Sequence, residues 1–480
     1  MSIHGFHIVF SVGSFSETTL SSSFRRMGDA RVCWLFIPLL LVVGAFAGAA
    51  SPAKGEQSQH WSFRPLANPA IPSVSDNSWP TTAIDAFVLA RLEHSGLTPA
   101  KRADRRTLIR RATYDLIGLP PEPSEVDAFL RDRSPHAFAR VVNRLLASPH
   151  FGERWGRHWL DVARYGEDVR PNGFNTRPLP HAYKYRDWVI QAFNRDMPYD
   201  RFVIQQIAGD LVKPSSQSGR VAVGFLALGQ IYESDAGGNE SKRKAEYDTI
   251  DDKIDAITRG FLGLTVACAR CHDHKFDPVS VEDYYGLAGV LRNTKTINAD
   301  GIHTLKESDS KNIPIAIGGN PNNPGDVVPR RFLRVLAGKN SPRFREGSGR
   351  LPLARAIVTD GRALATRVIV NRLWQHLFDR GLVGSPSNFG HLGEAASHPE
   401  LLDRLARRLL DSGWSLKAVL REIVLSETYQ MSGQFNPRYA SIDPRNRLLW
   451  RRVPKRLEAE AWRDGILAVA GELDRRIAAR

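Results

Sequence analysis

Cysteine is nearly absent: the 480 residues hold three, and Cys33 lies inside an N-terminal apolar run, which leaves two for the rest of the chain. Several catalytic signatures are missing as well. There is no Gly-rich phosphate loop, no Gly-x-Ser-x-Gly and no His-Glu-x-x-His, so nucleotide-dependent and serine-hydrolase chemistry lose support. No internal repeat and no long strand ladder is visible. Acidic residues are the minority charge, 51 against 66 Lys and Arg, for a net charge of +15. The arginines are spread through amphipathic segments, as in Arg105-Arg106 and Arg407-Arg408, and form no stripe interleaved with aromatics. That argues against nucleic acid as a partner. An acidic polysaccharide, an anionic envelope surface or an acidic redox partner suits the charge better.

What is present begins with an export signal. Val32 to Ala50 carries no charge, follows Arg25, Arg26 and Arg31, and ends in Ala47-Gly-Ala49, a small-residue cleavage sequence. Residues 1–50 therefore read as a secretory signal whose start lies further along, at Met27. A periplasmic or cell-envelope location follows, with a membrane anchor as the alternative if the segment stays uncleaved, because about twenty apolar residues can span a bilayer.

The two remaining cysteines sit in Cys268-Ala-Arg-Cys271-His272-Asp-His274-Lys. Cys-x-x-Cys-His is the attachment sequence of haem c: two thiols add to the porphyrin vinyl groups and the adjoining imidazole binds iron. On this reading Cys268, Cys271 and His272 hold the haem, His272 as the proximal ligand. His150, His158, His181, Met197 and His303 are candidates for the opposite face. Two alternatives stay open. Cys268, Cys271 and His274, completed by Asp273 or Asp277, have the spacing of a zinc or iron knuckle, and an exported pair of cysteines also suits a structural disulfide.

Helical periodicity dominates after a Pro/Ser/Asn-rich lead at 51–80. Helices are predicted at Glu153 to Tyr165, His181 to Asn194, Tyr199 to Gln206, Tyr247 to Leu262 and Val281 to Leu291. In the second half they are predicted at Leu351 to Leu377, Pro399 to Leu410, Leu416 to Leu425 and Arg456 to Leu473. The fold class is mainly α: two helical domains, 81–300 and 346–480, joined by a short irregular linker at 301–345 with little β structure. A short strand is allowed at Val327 to Leu336. Gly471 to Arg480 reads as helical and uncapped, as a truncated end would.

Gly118-Leu-Pro-Pro121, Ser148-Pro-His-Phe-Gly-Glu153, His158-Trp-Leu-Asp-Val-Ala-Arg-Tyr165, Tyr185-Arg-Asp-Trp188, Gln206-Ile-Ala-Gly-Asp210 and the Cys268 segment form an ordered series. Asn371-Arg-Leu-Trp374, Ser397-His-Pro-Glu-Leu-Leu402, Gly413-Trp-Ser-Leu-Lys417, Asp443-Pro-Arg-Asn-Arg447 and Arg456-Leu-Glu-Ala-Glu460 continue it. The series resembles the planctomycete cytochrome-associated proteins with paired DUF1549 (N-terminal) and DUF1553 (C-terminal) domains, over nearly everything from His60 onward. The resemblance implies a redox context, a periplasmic electron-transfer partner and a link to breakdown of sulfated polysaccharide. A separate cytochrome c domain, frequent in that family, would need a second Cys-x-x-Cys-His, which this chain lacks.

Catalytic candidates follow from position. Asp161, Arg164 and Tyr165 lie three and four apart in a predicted helix and so share a face, suited to shaping a substrate site near the cofactor. The competing reading is a salt bridge beside a buried Tyr. His274 joins them because Asp-His-Lys-x-Asp is a crowded sequence for a plain electron relay. The expectation is an exported haem-dependent oxidoreductase, against a zinc or iron enzyme of polysaccharide processing or a non-catalytic envelope protein.

Overall fold

Many helix starts are fixed by a side chain that satisfies an otherwise unbonded backbone N–H. Thr82, Asp104, Ser216, Ser280 and Ser415 each accept from the N–H three residues on. In this computed structural model residues 60–166, 169–170, 177–234 and 237–476 are described. The predicted export signal lies outside the described residues. Within them no helix is long and apolar enough to cross a membrane.

The protein is mainly α. Helices run at Ala83–His94, Arg105–Ile117, Pro123–Arg131, Ala137–Ala147, His150–Val162, Tyr183–Asn194, Tyr199–Ala208, Asn239–Ile257 and Val281–Arg292. The second half adds Arg350–Val358, Arg362–Phe378, Pro399–Asp411, Leu416–Leu425 and Ala459–Ala470, with shorter turns between. The predicted helix from Leu351 to Leu377 is two, broken at Thr359-Asp-Gly361. The last helix stops at Gly471, which takes the left-handed conformation (φ +75°), while Glu472 N–H reaches back to Leu467 O at 2.9 Å. The tail is therefore capped, contrary to the sequence expectation.

The predicted irregular linker is instead built of hairpins. Thr294–Ala299 pairs antiparallel with Ile302–Glu307 around a two-residue Asp300-Gly301 turn, and Ile313–Ala316 pairs with Pro324–Val328. A third, two-residue pairing joins Val169–Arg170 to Arg177–Pro178. The short strand expected from Val327 ends at Val328, and Arg334–Ala337 is helical.

Pro52–Arg480 forms one compact unit. One apolar cluster, from Ile84 to Trp450, draws on both halves, and ion pairs and hydrogen bonds to buried carboxylates cross between them. Arg350, with no exposed surface, forks onto Asp210 at 2.7 and 2.8 Å. Asp85 Oδ1 accepts from the N–H and hydroxyl of Thr428, both at 2.8 Å, and Asp115 accepts from Tyr429 OH at 2.8 Å. Arg154 donates to Glu458 at 2.6 Å. Charges removed from water this far demand partners, so these pairs fix how the halves meet.

Candidate cofactor-attachment site

The segment carrying the cysteines begins where helix Asn239–Ile257 loosens into a π-turn at Thr258–Leu262. Arg372, buried on helix Arg362–Phe378, donates to the carbonyls of Arg259 (2.9 Å) and Gly260 and so caps that turn from the other half. Gly263 then takes φ +61°, and a side chain there would stand 2.8 Å from the Phe389 ring and 2.9 Å from Val368. Only glycine meets both demands. Its carbonyl accepts from Phe389 N–H at 2.7 Å, which seats the 388–391 loop on the segment.

Val266–Ala269 is a single 3₁₀ turn holding Cys268, and Cys271 follows it. Both thiols are free and exposed, and His272 is exposed beside them. The His272 Nδ1–H donates to Asp273 O at 2.7 Å, so in the neutral ring Nε2 keeps its lone pair. Arg270, between the cysteines, turns the other way and pairs with Asp248 at 2.8 Å. The Ile313–Val328 hairpin reaches the motif at Gly319, where a methyl group would overlap Cys271 Sγ. Tyr285, whose hydroxyl donates to Ala316 O at 3.3 Å, is pushed up to about 12 by burial, with Cys271 contributing.

Two residues further on, the side chains face inward. His274 Nδ1 accepts from the N–H groups of Asp277 (2.8 Å) and Phe276 (3.2 Å), so the proton is on Nε2, which donates to Thr265 Oγ1 at 3.0 Å. Burial lowers its pKa, and Asp277 opposes that. Asp277, also buried, accepts from both His391 N–H (2.8 Å) and His391 Nδ1–H (2.9 Å). The His391 ring lies 4.3 Å from the ring of His60. Burial, then His391, drives the His60 pKa down to about 4.

This arrangement corrects two expectations. Cys268, Cys271, His274 and Asp277 do not converge as a knuckle: the thiols are exposed, whereas His274 is buried and bonded to the backbone and Thr265, and Asp277 is buried with Oδ1 bonded to His391. Among the described residues no group of three or more His, Cys, Asp or Glu is placed to hold a metal ion. Both ring nitrogens of His274 are hydrogen-bonded, Nδ1 to the backbone and Nε2 to Thr265. Nor do Asp161, Arg164 and Tyr165 share a face: the helix ends at Val162 and Arg164 takes φ +56°. Asp161 pairs with Arg157 at the surface, and Arg164 crosses to Asp252 (2.7 Å) and Asp255. Tyr165 packs beside Tyr185, 5.9 Å between rings.

The residues expected from sequence as candidates to face a haem opposite His272 have other engagements. His158 is buried and stacked on His376 at 3.6 Å, His150 meets Glu153 at 3.0 Å, and His303 meets Pro180 O at 2.7 Å. Met197 packs against the core, and the exposed His181 sits at φ +70°.

Residues 83–296 match the family model PSCyt2, protein of unknown function (DUF1549), and residues 349–480 match PSD1, protein of unknown function (DUF1553). The chain carries both regions, in that order. Comparison with curated proteins and with solved structures returned no match. The cysteine segment and Asp277 lie in the DUF1549 region, His391 in the DUF1553 region, and His60 precedes both. Sequence reasoning missed His60 and His391: each stands alone in its own stretch, and only the fold brings them to Asp277.

Proposed function

We propose that this is an exported redox protein whose Cys268-Ala-Arg-Cys271-His272 turn carries a covalently attached haem c. One observation carries the reading: the two thiols and the His272 imidazole, with Nε2 available, face solvent on a single turn, while His274 and Asp277 are bonded on its other side. The donor set suits thioether attachment and one axial nitrogen, and not a four-ligand knuckle. When bound, haem would supply one-electron chemistry. This chain's own residues orient the attachment: Asp273 O holds the His272 tautomer, Asp273 Oδ1 accepts from Val281 N–H at 3.0 Å, and Arg270 ties the peptide between the thiols to Asp248. The partner is then a periplasmic electron carrier, and the excess of basic residues, +15 overall, suits an acidic one, or an acidic or sulfated polysaccharide as substrate.

The test is maturation of the full chain in a periplasm equipped for haem attachment, followed by absorption spectroscopy and mass measurement after denaturation. A haem band and added mass that survive denaturation, and disappear in Cys268→Ser/Cys271→Ser, are expected. A colourless product with two free thiols, a disulfide or stoichiometric zinc would overturn the reading.

A further inference from the structure

The Asp443-Pro-Arg-Asn-Arg447 segment borders a cavity that nothing above uses. It has a volume of about 190 Å³ and lies where the end of helix Arg362–Phe378 meets 443–453. Trp374 and Phe378, stacked at 4.2 Å, form an apolar wall. The polar lining is one-sided: five arginines (380, 445, 447, 451 and 452) and a single acid, Asp379.

Neutralisation from behind is incomplete. Arg380 pairs with Glu394, and Arg452 approaches Asp115 at 3.4 Å, a carboxylate it shares with Lys455. The guanidinium groups of Arg445, Arg447 and Arg451 have no carboxylate partner among the described residues; that of Arg447 donates to Ala395 O (3.0 Å) and that of Arg451 to Gly433 O (3.2 Å). The Nε–H donors of Arg451 and Arg452 are buried with no acceptor. Arg452 is itself only 5% exposed. A cavity lined by five arginines, three of them with no carboxylate on the guanidinium, suits an anion.

The lining is also held in place before any ligand arrives. Asp443 accepts from Arg447 N–H (2.9 Å) and Leu448 N–H (2.7 Å), and Asn446 clasps the Arg451 backbone from both sides, at 2.9 and 3.3 Å. The Arg451 guanidinium is steadied over the Trp450 ring at 5.0 Å. Such preorganisation lowers the ordering cost of binding. The volume corresponds to roughly six waters and falls below the range of about 300–1,000 Å³ usual for drug-sized ligands. It suits one small charged group with the rest of its molecule outside.

We propose that this cavity binds a tetrahedral oxyanion, sulfate or phosphate, either free or as the ester group of a larger molecule. Arginine forks match two oxygens of such a group at once, whereas lysines would offer point charges.

Titration calorimetry on the full chain, at fixed ionic strength in chloride, tests this with inorganic sulfate, inorganic phosphate, a sulfated and a phosphorylated monosaccharide, and the uncharged sugar. Saturable binding of an oxyanion but not of the uncharged sugar is expected. An ester binding at least about tenfold more tightly than the inorganic ion would identify an ester ligand, and equal affinity a free ion. Arg445→Gln, at an exposed position that leaves the fold intact, and Arg451→Gln should each weaken binding by about tenfold, and Arg133→Gln, elsewhere on the surface, should not. Absence of oxyanion binding at millimolar concentration, or binding that Arg445→Gln leaves unchanged, would overturn the proposal. Unfolding midpoints of each variant separate lost binding from lost fold.

Discussion

Cys268, Cys271 and His272 lie on the outer side of one short loop; His274 and Asp277, a few residues later, lie on its inner side. The outer groups face water and keep their reactive atoms available. The inner groups are buried and committed to Phe276, Thr265 and His391. Spacing alone suggests a shared metal site. The structure separates them instead: the inner side anchors the loop to the second half, and the outer side stays exposed.

Removing the inner carboxylate should disturb the molecule most. Asp277→Ala leaves His391 N–H and Nδ1–H without their acceptor, and we expect a loss of about 3 kcal/mol in urea unfolding. His274→Ala exposes two backbone N–H groups to an apolar void and should cost about 2 kcal/mol by the same measurement. Acid provides a milder probe. Burial holds His60 down to about 4, so between its unfolded value near 6.5 and 4 the unfolded chain takes up a proton that the folded chain refuses. Stability should be full above about pH 6.5, fall as pH drops towards 4, and level off below. His398, driven down to about 3 by burial and by Arg91 and Arg447, adds a fall of the same sign that extends lower. Burial also lowers His158, His274 and His376, so His60→Asn should remove only its own share of the fall between pH 6.5 and 4. Least disturbing should be the outer side: in protein without cofactor, Cys268→Ser and Cys271→Ser should change stability by less than about 0.5 kcal/mol. Both wild-type thiols should nevertheless react with a thiol reagent under native conditions. Equal destabilisation from inner and outer substitutions would erase the distinction.

Much of the helical skeleton was legible because its signals are local. Leu416–Leu425 has the bounds that its apolar spacing gave, and Ser415 caps it. The hairpins that reach into 301–345 were not foreseen, because the Asn, Gly and Pro content there reads as linker. Yet Asp300-Gly301, with φ of 55° and 66°, is the turn pair a tight hairpin requires. The thiols and His272 were legible for the same local reason. His391 was not: it depends on the contact between Phe389 and Gly263, whose sequence separation hides it.

The interlocking of the halves has a consequence for how the chain is made. Asp85 waits for Thr428, 343 residues later, Asp115 for Tyr429 and Arg154 for Glu458. The N-terminal helices are therefore synthesised well before the groups that neutralise their buried charges. At ordinary rates of translation the interval is roughly 15 to 60 s. Through that time the faces destined for the core stay open, and closure of such long loops is intrinsically slow. Contacts of this span can close only once residues 428–458 have been made.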